Sequence, residues 1–148
     1  MRTPFVTAPP LIEAIGTFIA FVLPGPDPRV DALAGACIAT FEPFRAPLTA
    51  AEIARRGAGR LTGRQEGYLR RWGYAHVFAD FRFHMSLTGP IGDAHLRAAT
   101  LAGLRGAAGA ALATRLSFDG LALFCQEPGG GNFRLLRRFP FCAGQDAQ

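Results

Sequence analysis

Lysine is absent from the chain, so all 16 of its basic residues are arginine. Set against 11 acidic residues, they give a net charge of +5. In a sequence also rich in Ala, Gly and Pro, an all-arginine basic set reads as the coding bias of a GC-rich genome. The basic balance is therefore weak evidence for an anionic partner. Cysteine is scarce. Cys37, Cys125 and Cys142 are an odd number without paired metal-ligand spacing, and Cys37 falls on the apolar stripe of a helical pattern. That excludes a disulfide framework and a cysteine zinc site, leaves no metal or cofactor expected, and fits a reducing cytoplasm. No run approaches the ~20 apolar residues needed to span a bilayer, and MRTPFVTAPP lacks the unbroken apolar core of a signal peptide, so no membrane is expected as a partner. Also missing are a dinucleotide fingerprint, a serine elbow and an internal repeat. The glycine-rich EPGGGN lies between two strand-like stretches and opens no helix, so it reads as a hairpin tip, not a phosphate-cradling loop.

What is present is enough for one core: 148 residues, 49% of them hydrophobic, are the size of a single domain. Residues 1–148 are read as that domain, with an ordered core over 11–141 and a frayed tail over 142–148. Leu11–Ile15 and Thr17–Leu23 read as two extended pieces joined at Gly16, the second without alternation and so covered on both faces. Asp27 followed by Pro28 is an N-cap with proline at the first helical position. Val30, Leu33, Ala34, Cys37, Ile38 and Phe41 then recur at helical spacing, and Pro43 stops the run.

Residues 45–80 form a helical, arginine-rich insertion. Thr49 with Glu52 and Thr62 with Gln65 are two capping boxes, each opening a short helix. Trp72, Tyr74 and Phe78 are expected to anchor it to the body. Arg55, Arg56, Arg60, Arg64, Arg70 and Arg71 crowd this stretch. A solvated helical face is the plain reading, and an RNA or acidic-partner surface over 55–71 is the functional alternative. Further on, Asp93 can cap a helix to about Leu112, and Leu116–Phe124 with Asn132–Phe139 read as an antiparallel hairpin. The order implies an α+β lobe with a mainly antiparallel sheet, helices on one face and the helical insertion.

FRFHMSLTG, residues 81–89, carries the chemistry. Phe81, Phe83, Met85 and Leu87 alternate with Arg82, His84, Ser86 and Thr88, which places the polar four on one strand face about 6 to 7 Å apart. An imidazole can give or take a proton near neutral pH, a hydroxyl two residues along can bond a phosphate oxygen, and an arginine can neutralise its charge. His84 is the candidate catalytic residue, with Ser86, Arg82 and Thr88 as phosphate ligands. The bland competitor is a satisfied structural histidine. His76 and His95 have no hydroxyl two places on and read as surface or boundary residues.

EPFRAPLTAAEIARR, LTGRQEGYLRRWGY, FRFHMSLTG and FRLLRRFPF resemble the C-terminal half of an uncharacterised bacterial family described as putative phosphonate metabolism protein, within the two-histidine phosphoesterase superfamily. The likeness runs from about Phe5 to Phe141. It implies a fold of two pseudo-symmetric lobes, each supplying a His-x-Ser/Thr motif, in which one imidazole acts as base and the other as acid on a cyclic or linear phosphodiester. His84 and Ser86 match the second motif; Arg82 and Thr88 come from strand alternation alone. The first motif has no counterpart in residues 1–80. One imidazole cannot assist both sides of phosphorus at once, so hydrolysis by this chain is expected to be weak or absent. A phosphorylated small molecule or nucleotide is the expected ligand. An uncovered sheet edge is expected to favour a homodimer.

Overall fold

In a computed structural model, residues 2–57, 59, 61–127 and 130–142 are described. The expected frayed tail, apart from Cys142, and part of the EPGGGN tip lie outside them. In chain order the elements are β1 (Phe5–Val6), β2 (Leu11–Ile15), β3 (Phe18–Val22), α1 (Pro28–Phe41), α2 (Ala50–Arg56), α3 (Gly63–Trp72), β4 (His84–Ser86), α4 (Ala94–Ala108), β5 (Ser117–Phe118), β6 (Gly120–Cys125) and β7 (Arg134–Pro140). The fold is α+β, and the strand pairs are all antiparallel. By contact the residues gather into two compact units, 11–107 and a second made of 1–10 with 108–148.

The second unit pairs β1 with β5 and β6 with β7. In the β6–β7 hairpin, Leu123, Phe124, Leu135, Leu136 and Phe139 are all exposed, an apolar surface without cover among the described residues. The chain breaks at Asp119 between β5 and β6, so the expected strand 116–124 is two strands that pair with different partners.

The unit over 11–107 carries the candidate site. Its sheet has the order β2-β3-β4, with Ile12 facing Phe21, Glu13 facing Ala20, Ala20 facing Ser86 and Val22 facing His84. Ile19, Ala20 and Val22 are buried, from both faces of β3, which is why that strand reads as an unbroken apolar run. α1 begins as its sequence dictates. Asp27 accepts from the Arg29 N–H at 2.9 Å, with Pro28 behind it, and Val30 and Leu33 are buried. Both capping boxes of the insertion form, Thr49 with Glu52 and Thr62 with Gln65. Asp93 accepts from Leu96 N–H to open α4, which ends as an α-helix at Ala108 and tightens into a 3₁₀ turn over Gly109–Ala113 instead of running to Leu112. Gly109, at φ +39, is the reason.

The Arg29 guanidinium bonds both carboxylate oxygens of Asp27 and holds that carboxyl at about 2, below its ordinary 3.8. A depressed carboxyl contributes stability in full above its unfolded value and loses it as pH falls through the folded one. Asp27→Asn keeps a capping oxygen and removes the charge. The variant is therefore expected to be less stable than the parent near neutral pH, with the difference closing as pH falls from about 4 toward 2. Urea melts across that range read the effect, and a gap that persists unchanged in acid would contradict it.

Gly73 ends α3 in the left-handed region at φ 73°, and a Cβ there would lie 3.0 Å from the Arg45 guanidinium. This turn directs the chain into residues 74–80, which border the site. Gly73→Ala is expected to cost about 1–2 kcal/mol, read by denaturant unfolding, because an L-residue resists this conformation.

Candidate functional site

β4 is shorter than the alternation implies: only His84–Ser86 pair with β3. On its N-terminal side, Phe78–Asp80 form a 3₁₀ turn in which Phe78 takes φ 50°, held by ring contacts to Trp72 and Tyr68 and by its approach to Gly35 of α1. At the other end Leu87 and Thr88 N–H both donate to the Ile19 carbonyl, and the Thr88 hydroxyl accepts from Ile19 N–H at 3.0 Å. One backbone carbonyl serving two successive amides breaks the two-residue period. Thr88 is thereby committed to closing the ladder.

His84 is exposed on β4, and its ring lies 5.6 Å from that of Phe18. Its Nδ1 sits 2.8 Å from the Arg82 carbonyl. A carbonyl only accepts, so Nδ1 is the donor, and in the neutral ring Nε2 carries the lone pair. Among the described residues Nε2 has no protein partner. Ser86 is also exposed, opposite Ala20 and two places along the same face. Arg82 donates to Glu13 of β2 at 2.5 Å, a half-exposed pair.

A cavity of about 410 Å³ is lined by His84, Arg82, Phe81, Asp80, His76, Tyr74, Phe18 and Ile15. It gathers two imidazoles, a phenol and two charged groups over an aromatic floor. Thus Arg82 and His84 meet there, Ser86 lies farther along the strand, and Thr88 faces the ladder.

His76 is the residue that sequence reasoning set aside. It stands between Ala75 and Val77, both buried, and its ring makes an edge contact with Tyr74 at 5.6 Å. In the structure Tyr74, Ala75, His76 and Val77 alternate exposed and buried, as a half-covered extended segment does, and the sequence trace of this is the apolar Ala75 and Val77 set between Tyr74 and His76.

Asp80 is bonded by the Arg64 guanidinium at 2.8 and 3.0 Å, and Gln65 donates to it at 3.4 Å. The Arg64 bonds, with smaller contributions from Gln65 and the charge of His76, hold its carboxyl below the usual range. A separate cleft of about 480 Å³ shares Arg82 and Phe81 and adds Glu13, Asp27 and Asp31. Among the described residues no group of three or more histidine, cysteine or carboxylate ligands is placed to hold a metal, and no helix is long and apolar enough to cross a membrane.

The arginines of the insertion are largely occupied. Arg56 donates to the Gly73 carbonyl, Arg64 pairs with Asp80, Arg70 with Glu66, and Arg71 with Glu42 while lying over the Trp72 ring. Arg60 lies outside the described residues.

Comparison with known proteins gives one family. The model described as Protein of unknown function (DUF1045) matches residues 1–134. A curated relative from Janthinobacterium sp. (strain Marseille), the ribose 1,5-bisphosphate phosphokinase PhnN, is 36% identical over 135 residues, covering 88% of this chain and 29% of that protein. The chain thus spans less than a third of the length of that relative. No solved structure matches the chain.

Proposed function

The chain belongs to the family described as Protein of unknown function (DUF1045), and within it we propose a two-histidine phosphoesterase-like lobe that binds a phosphate ester or cyclic phosphodiester at His84. The observation that carries the reading is the state of the ring: exposed, bordering a cavity, with Nδ1 spent on a backbone carbonyl and Nε2 free to take a proton and, carrying it, to donate to an oxygen of a ligand. Ser86 and Arg82 are proposed as further phosphate contacts. Thr88 would contribute only by donating its hydroxyl proton, since its oxygen already accepts from Ile19.

The relative's name supports a phosphorylated sugar as the class of ligand. It does not bring phosphokinase chemistry with it. This chain has no lysine to reach a nucleotide's phosphates and no glycine-rich loop opening a helix. An acid–base group and anion contacts, the roles proposed for His84, Arg82 and Ser86, support phosphoester chemistry instead.

Self-association belongs to the same proposal. β4 is an edge of its sheet among the described residues, with Met85 and Leu87 exposed beside it, and a second copy is the proposed cover. RNA binding through 55–71 is the weaker reading, because four of the guanidiniums there already serve Gly73, Asp80, Glu66 and Glu42.

Turnover of 2′,3′-cyclic nucleotides by the parent chain, measured beside His84→Ala, tests the enzymatic part. Slow hydrolysis that drops by roughly 10²–10⁴-fold in the variant is expected, the share one acid–base group supplies. Equal rates in the two proteins would remove His84 from the chemistry.

A further inference from the structure

We propose that the cavity beside β4 is a two-imidazole anion site, in which His76 supplies the second contact to an oxyanion held by His84. The inference rests on the reading of His84 above and extends it to a residue outside any recognised motif.

The charges around the cavity lead there. From β2 comes Glu13, which neutralises Arg82. From α3 come Arg64 and Gln65, which hold Asp80. Both ion pairs are formally neutral, and the Asp80 carboxyl stays ionised because Arg64 holds its proton affinity down. The remaining polar groups of the lining are the Tyr74 phenol and the two imidazoles, His76 and His84. A protonated imidazole donates to an oxyanion through its ring nitrogen, and the Asp80 carboxylate that feels the charge of His76 is already held by Arg64.

The placement of His76 is built. Ala75 at 4% and Val77 at 3% exposure pin the backbone on either side, so the imidazole is presented outward from an anchored segment, with Tyr74 against its ring. The segment itself is aimed by the left-handed Gly73 and by the strained turn at Phe78. Ile15, Phe18 and Phe81 supply the rest of the wall. An apolar wall strengthens hydrogen bonds to an anion and accepts the organic part of an ester. The ligand class is therefore a compact oxyanion carried on an apolar or ring-shaped group.

Sulfate is the probe, a compact oxyanion whose own charge is constant near neutral pH. The ring Cε1–H signals of the three histidines are followed by NMR as sulfate is added at about pH 6 to the intact chain. His95, on α4 and absent from the cavity lining, serves as the internal reference. The signals of His76 and His84 are expected to move together with one saturation constant, with His95 still. His76→Gln, a substitution at an exposed side chain, should weaken sulfate binding roughly tenfold while leaving the His84 signal responsive. Movement of His84 alone overturns this inference and leaves the His84 reading standing. Movement of neither ring overturns both.

Discussion

Replacing His84 with alanine is expected to weaken binding of a phosphate monoester roughly 10- to 150-fold, the equivalent of the about 1.5–3 kcal/mol that a hydrogen bond to a charged group contributes. The ring is exposed, so its loss opens no core cavity, and unfolding free energy is expected to stay within about 0.5 kcal/mol of the parent. That separation makes the variant informative. Calorimetric titration gives the affinity, and a denaturant melt of the same sample gives the stability. Unaltered affinity in a folded His84→Ala protein would show that the ester is held elsewhere.

The second large effect belongs to the strand that carries β4. Ile19 is fully buried, its N–H bonds the Thr88 hydroxyl, and its carbonyl accepts from both Leu87 and Thr88. Ile19→Ala is expected to cost about 2–5 kcal/mol, as truncation of a buried aliphatic side chain does when the cavity cannot collapse. Ile12, at 2% exposure and opposite Phe21 in the ladder, is buried on the same face as Ile19. Chemical denaturation checks the magnitude. Where the variant is still folded it should bind phosphate like the parent, because Ile19 projects from the face opposite His84, whereas a cost below about 1 kcal/mol would mean that this core is looser than its burial indicates.

Much of the fold was legible where one local rule decides. Asp27 and Pro28, Thr49 and Glu52, and Thr62 and Gln65 fix helix starts through side-chain oxygens meeting free amides, a bargain settled within a few residues. The hairpin of β6 and β7 was legible from two apolar runs around a glycine-rich tip. What failed to read were limits set by partners distant in sequence. The alternation over 81–88 extends through eight residues, yet β3 offers pairing only to His84–Ser86, and Ile19 draws Thr88 out of the pattern. Nothing within FRFHMSLTG announces that competition.

The site divides the same way. The exposure of His84 and Ser86 on a common face follows from strand geometry. The pairing of Arg82 with Glu13, 69 residues away, does not. His76 was passed over because it was judged by its sequence neighbours, although a cavity is assembled from whichever side chains the turns at Gly73 and Phe78 deliver to it.

A crystal of the chain soaked in tungstate, located by anomalous scattering, tests the central claim most directly. The account predicts a tungstate oxygen about 2.7–3.2 Å from His84 Nε2, within the cavity bordered by Phe18 and His76. Tungstate bound at the arginines of 55–71, with the His84 ring bare, would contradict it.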